Sequence, residues 1–235
     1  MRIYKKLLSL LTISIVLVNT TACSQRISAL NDTLKLAFIG DKDTQLSEQQ
    51  VNNIPYASIY ARIDGIPQAF IVLALAEPKF TLTLPPTPAI TELKWLSADK
   101  AMLVTINGRL VRTSNLLTGD LIAVESNEPD PILLGLHLDS TPKTWTRTID
   151  WQPGYHFGYH VNSHFSFIAK ENILINDTPT QALHYLESVS VDNLNIQYQN
   201  EFWLTPETGH VIKSRQKIAP NQPFIEITLL KPFAS

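Results

Sequence analysis

His156, His160 and His164 recur every four residues and are the first side chains in this sequence whose spacing could do chemistry. On a helix that spacing would stack three imidazoles on one face and invite zinc. The flanking residues oppose a helix: Pro153-Gly154 precedes the segment and Gly158 interrupts it. Odd positions carry Tyr155, Phe157, Tyr159, Val161, Phe165 and Phe167, whereas even positions carry the histidines, Asn162 and Ser166. This alternation predicts a strand, in which residues four apart lie roughly 13 Å apart. With metal–nitrogen bonds of about 2.1 Å, one straight strand cannot chelate a metal through these residues. A polar strand face is expected, and no metal site.

The opposite, aromatic face of that strand suits either a core or a lining for an apolar or saccharide ligand, since rings stack on both. Trp151, Tyr155, Tyr159 and the more distant Trp203 are the candidate residues of a ligand or partner surface, with Arg147, Asp150 and Gln152 near enough for polar contacts. No Gly-x-Ser-x-Gly elbow, Gly-rich phosphate loop or His-Glu-x-x-His is present, so no catalytic residue is assigned. Lys213, Arg215 and Lys217 alternate and predict a charged, solvated strand face.

Cys23 is the only cysteine, and its chemistry follows from what precedes it. Arg2, Lys5 and Lys6 form a basic leader, residues 7–18 are mostly aliphatic, and Thr21-Ala22 supplies small residues before Cys23. That order is a secretory signal. The apolar run, about 12 residues, is too short to cross the hydrocarbon core as a helix. The junction resembles a bacterial lipobox, with Thr20 where Leu is usual. A diacylglycerol and an N-acyl group are therefore expected on Cys23, with no other cofactor. A lone acylated cysteine leaves no disulfide, so the fold must hold through its core.

Elements that position these residues read as follows. Residues 24–38 carry Ile27, Leu30, Leu34 and Phe38 at helical spacing, and Gly40 follows as a stop. Residues 41–50 are polar, with a short helical turn begun by Ser47. From Ile54 onward alternation dominates. Asp64-Gly65 and Asn107-Gly108 mark hairpins, the latter being the strongest turn signal in the chain. Residues 117–142 are looser, with 125–131 a loop and 132–138 either helix or strand. Strands resume over 144–151, 155–169, 187–191, 194–204, 210–218 and 224–230. Trp95-Leu96 and Trp203-Leu204 begin two similar Trp-Leu hairpin stretches, which two like turns explain without a duplicated domain. Many short strands at turn spacing predict a mainly β chain, a large antiparallel sheet forming a barrel-like or sandwich domain with a short N-terminal helix. The expected organisation is a signal peptide over 1–22, a lipidated N-terminus, short helix and tether over 23–50, and one β domain over 51–235.

Removing the leader leaves 213 of 235 residues and takes the formal charge from −2 to about −5. With no basic stripe along the sequence, nucleic acid is not an expected partner.

Several stretches together resemble the YjbF/GfcB family of capsule and exopolysaccharide lipoproteins. They include Pro55-Tyr-Ala-Ser-Ile-Tyr-Ala-Arg62, Leu93-Lys-Trp-Leu-Ser-Ala-Asp99 and Leu103-Val-Thr-Ile-Asn-Gly-Arg-Leu-Val-Arg-Thr113. Arg147-Thr-Ile-Asp-Trp-Gln-Pro-Gly-Tyr155, Phe202-Trp-Leu-Thr-Pro-Glu-Thr-Gly209 and Ile225-Glu-Ile-Thr-Leu-Leu-Lys-Pro232 follow in order. The resemblance implies a non-enzymatic lipoprotein on the periplasmic face of a Gram-negative outer membrane, assisting secretion or assembly of an exopolysaccharide. Its implied partners are a periplasmic protein and an outer-membrane β-barrel of the same secretion system, and the polymer itself. Ser24 after the acylated cysteine fits outer-membrane sorting. Two other functions stay open: a carrier sheltering a lipid or lipid-linked saccharide in a barrel-like cavity, and a polysaccharide hydrolase.

Overall fold

A computed structural model describes residues 42–79 and 90–234. The helix expected over 24–38, the leader and Cys23 lie outside the described residues. One antiparallel sheet of twelve strands holds 59 % of the described residues. The strands are β1 (Ser58–Ile63), β2 (Ala69–Lys79), β3 (Ile90–Leu96), β4 (Met102–Ile106), β5 (Arg109–Ser114), β6 (Asp120–Glu125), β7 (Thr144–Gln152), β8 (His156–Ile175), β9 (Thr178–Val191), β10 (Ile196–Leu204), β11 (Val211–Lys217) and β12 (Phe224–Lys231). Each pairs with its neighbours in sequence except at β5 and β6, and β12 returns to pair with β1. The sheet is thereby nearly closed into a barrel, with its seam between β5 and β6.

Side chains replace the missing ladder at that seam. Thr113 Oγ1 accepts from the Leu121 amide at 2.9 Å and donates to Asp120 Oδ1 at 3.0 Å. The Asp120 carboxylate also accepts from the Asn115 and Leu116 amides at 3.0 and 3.1 Å. One carboxylate thus satisfies the tight turn and joins the two edges, which would otherwise expose unpaired backbone groups.

Turn chemistry places the hairpins. Asn107 and Gly108 both have positive φ, at 44° and 83°, matching the expected two-residue turn. A Cβ on Gly108 would come within 2.4 Å of Val211 Cβ, so the turn packs against β11. The short helix begun by Ser47 is present as α1 (Glu48–Asn53), closed by a capping box between Ser47 and Gln50. Two sequence expectations differ. Residues 132–138 form neither helix nor strand but successive turns that put Ile132 and Leu136 fully inside. The β8–β9 hairpin is also far longer than expected, closing at Asn176-Asp177, both with positive φ. β9 leaves β10 after the Leu183–Leu204 pair, so the rest of this hairpin is a two-stranded ribbon.

The interior is filled. A cluster including Ile59, Ile71, Trp95, Leu103, Leu121, Ile149, Trp151, Val161, Val189 and Ile225 draws on strands right around the barrel. A second joins the turn residues Ile132 and Leu136 to Trp145, Phe165, Tyr185, Phe202 and Leu204. Outside the wall, Ile54, Tyr60, Phe70 and Val72 form a third, smaller cluster.

Candidate functional site

Three arrangements carry the chemistry of this barrel: a buried ion network, two separated aromatic groups and a polar trough on the outer wall.

The ion network centres on Glu187, which is wholly buried. Its carboxylate accepts from Arg109 Nη1 at 2.8 Å, Asn200 Nδ2 at 2.8 Å and Ser163 Oγ at 2.7 Å, and lies 3.2 Å from Arg147 Nη1. Arg109 also donates to Asp130 through Nε at 2.5 Å and Nη2 at 3.3 Å, which ties the turn-rich segment 126–143 to the wall. Both guanidinium groups face the Trp145 ring, at 4.9 Å for Arg109 and 4.5 Å for Arg147. Burial alone would raise the Glu187 carboxyl, yet the two guanidiniums and the hydrogen bonds overcome it and hold the group down at about 2. Burial pulls Arg147 below its usual value, only partly offset by Glu187, while Arg109 is raised because two carboxylates outweigh its burial. Burial likewise pushes the neighbouring Tyr198 hydroxyl up to about 12.

Sequence reasoning passed over Arg109, Asp130, Ser163, Glu187 and Asn200. Parity could have found Glu187: it shares its strand face with Tyr185, Val189 and Val191. Arg147 likewise alternates in phase with Trp145, Ile149 and Trp151.

The four aromatic candidates do not gather at one place. Trp151 is 3 % exposed and belongs to the interior, stacked on His156 with ring centroids 4.4 Å apart and meeting the Tyr159 ring at a tilt of 56°, 4.6 Å away. Tyr155 stands at the β7–β8 turn, 95 % exposed, and Phe157 beside it is also exposed. Leu117, on the adjoining β5–β6 loop, is exposed as well; that loop meets the β7–β8 turn where Gly119 packs on Gln152 and Pro153. Trp203 lies on the outer wall, its ring stacked on His184 at 4.5 Å and its Nε1 donating to Glu171 at 2.7 Å. The basic residues of β11 share that outer face, paired as Lys213–Glu226 and Arg215–Asp64. Of the three spaced histidines, His160 and His164 are exposed, whereas His156 turns onto Trp151.

Register builds the trough. Thr146, Asn162, Ser190 and Gln197 stand opposite one another across β7, β8, β9 and β10. Two residues along, Thr144, His164, Ser188 and Gln199 do the same. Between the two rows runs an inward-facing row, Trp145, Ser163, Val189 and Tyr198, so only its backbone faces out. The small Ser and Thr side chains leave an open volume of about 770 Å³ above it. In the first row Thr146 Oγ1 donates to Asn162 Oδ1 at 3.1 Å and Asn162 Nδ2 donates to Asp192 at 2.8 Å. Ser190 Oγ also donates to Asp192, at 3.3 Å. The side chains of the second row have no hydrogen-bond partner among the described residues.

A nearly closed antiparallel barrel with a plugged interior and a polar outer wall defines the class. The model of the family described as "Group 4 capsule polysaccharide lipoprotein gfcB, YjbF" matches residues 31–230, and the chain belongs to that family. It is 31 % identical to the "Uncharacterized lipoprotein GfcB" of Escherichia coli (strain K12) over 223 residues, covering 94 % of this chain and 98 % of that protein. To the "Uncharacterized lipoprotein YjbF" of the same organism it is 32 % identical over 214 residues, covering 89 % and 92 %. The crystal structure of the hypothetical lipoprotein YmcC from E. coli (K12) superposes with a TM-score of 0.69 at 33 % identity, over 82 % of this chain and 92 % of that one.

Proposed function

We propose that this protein is a non-enzymatic lipoprotein of the outer membrane, held at its periplasmic face by acyl chains on Cys23, that assists secretion or assembly of a capsule-type exopolysaccharide. The observation that carries the reading is the match across residues 31–230 to a family described by capsule polysaccharide. The interior supports a non-enzymatic role: both carboxylates of the network, the buried Glu187 and the partly buried Asp130, are engaged by Arg109 rather than presented to a substrate. Acyl chains contribute about 0.8 kcal/mol per buried CH₂, so the lipids on Cys23 would retain the protein at the bilayer where one chain barely would. Tyr155, with Phe157 and Leu117 at the same end of the barrel, is the surface offered to a protein partner of the secretion system.

The test is surface polysaccharide in a deletion strain complemented with wild type or with Cys23→Ser at matched protein levels. Restored export by wild type and not by the serine variant is the expected result. Equal polymer in the deletion and parent strains would overturn the assignment.

A further inference from the structure

We propose that the trough across β7–β10 is a binding site for an uncharged stretch of polysaccharide, an inference that rests on the secretion role above and names the ligand of the barrel wall. Its walls are hydroxyls, amides and one imidazole, presented in two register-matched rows with about 14 Å between the outermost strands. Neither row contains a carboxylate, ammonium or guanidinium, and Asp192, the carboxylate on which the first row ends, is held by Asn162 and Ser190, so the rows offer no cation with which to select an anion. The chemistry left is neutral donors and acceptors, which matches the alternating hydroxyls of a sugar chain.

Two observations favour a glycan over a protein in this place. The inner strands of the trough, β8 and β9, are hydrogen-bonded to a neighbouring strand on both sides, so an extended peptide lying on them gains no added strand; the outer ladders, β7 with β6 and β10 with β11, end at Thr148 and Glu201, beyond the trough. Protein interfaces are also built on aromatic, Met and Arg side chains and are depleted in Ser. This wall presents Ser188, Ser190, Thr144 and Thr146, with no aromatic ring turned outward among them.

The two rows divide the work. Thr146, Asn162 and Ser190 are fixed by their own hydrogen bonds, ending on Asp192, and form a rigid rim. Thr144, His164, Ser188 and Gln199 keep their donors and acceptors for a ligand. The volume of about 770 Å³ falls within the range of small-molecule sites, roughly 300–1,000 Å³, and accommodates a short run of sugar rings.

The experiment uses the full lipidated chain in detergent and, as probe, size-selected oligosaccharides released by partial hydrolysis of the producing strain's own surface polysaccharide. Affinity is read by calorimetry for wild type, for Ser188→Arg, which fills the trough, and for the pair Thr144→Ala with Gln199→Ala. Gln181→Arg, on the exposed ribbon away from the trough, is the control. Expected are a loss of at least tenfold in both trough variants, wild-type binding in the control, unchanged melting temperatures, and no dependence on salt between 50 and 300 mM. Equal binding by wild type and trough variants overturns the site while leaving the secretion role standing. Binding that collapses with salt also overturns it, by moving recognition to charged surfaces such as Lys213 and Arg215. Absence of wild-type binding overturns it too. The deletion strain then tells whether the secretion role fails as well, because that role requires an export defect whatever the trough does.

Discussion

At the scale of the residue, Glu187 is the group on which most depends. Its carboxylate contacts both guanidiniums inside the barrel, and since Asp130 pairs with Arg109 alone, Glu187→Gln leaves Arg147 without a carboxylate of its own in a dry site. Breaking a buried pair in this way costs about 3–5 kcal/mol, and the measurement is a urea melt of the variant against wild type. Because the folded pKa, about 2, lies below the ordinary value of 4.5, the stabilisation is fully present above pH 4.5 and is lost as pH falls toward 2. The shift corresponds to about 3 kcal/mol, so melting temperature should fall steeply across that window in wild type. In Glu187→Gln the fall should be shallower there; an unchanged profile would remove Glu187 as its cause. Tyr155→Ala, by contrast, removes a ring that touches little, and the same melt should move by less than about 0.5 kcal/mol.

At the scale of the element, the hairpin turns and the seam decide the barrel. Gly108→Ala adds a Cβ to a residue at φ 83° and drives it against Val211. Strain at such a position costs about 1–3 kcal/mol and the contact adds to it, so a loss of at least about 2 kcal/mol is expected by denaturant unfolding. Asp120→Ala acts differently. It strips an acceptor from the Asn115 and Leu116 amides and from Thr113 while leaving the strands intact. Faster hydrogen exchange confined to the β5–β6 seam should follow, with a stability loss of about 1–3 kcal/mol. Exchange that quickens evenly round the barrel would show that the seam is not a separate unit.

At the scale of the whole molecule, the filled interior bears on what the barrel can hold. The void beside Arg109, Tyr198 and Gln216 is about 20 Å³, room for a single water, against hundreds for a lipid or lipid-linked sugar. Organic extracts of the purified protein should therefore contain no stoichiometric non-covalent lipid, as read by mass spectrometry. A co-purifying lipid at one per chain would restore the carrier reading. On the function proposed above, the working parts of the molecule lie on its outside: the anchor, the loop end with Tyr155 and the trough.

Period-two alternation and turn residues made the β class, the Asn107-Gly108 hairpin, the Ser47 helix start and the polar face carrying His160 and His164 readable from the chain, because each is a local preference, whereas His156 left that face for the Trp151 ring. The long β8–β9 ribbon escaped because its Asn-Asp turn is a weaker signal than Asn-Gly, and its exposed Leu174 and Lys170 blur the alternation. Residues 132–138 escaped because Ile132 and Leu136 plug the barrel from a turn, where no periodicity marks burial. The trough is the clearest case. Each pair, Thr144 and Thr146 or Ser188 and Ser190, reads alone as an ordinary polar strand face. Only strand register aligns four such pairs into two rows, and only the closure of the sheet turns Arg109, Asp130 and Glu187, distant in sequence, onto one another. Local sequence set which face of each strand is wet, and long-range pairing decided which wet faces became one surface.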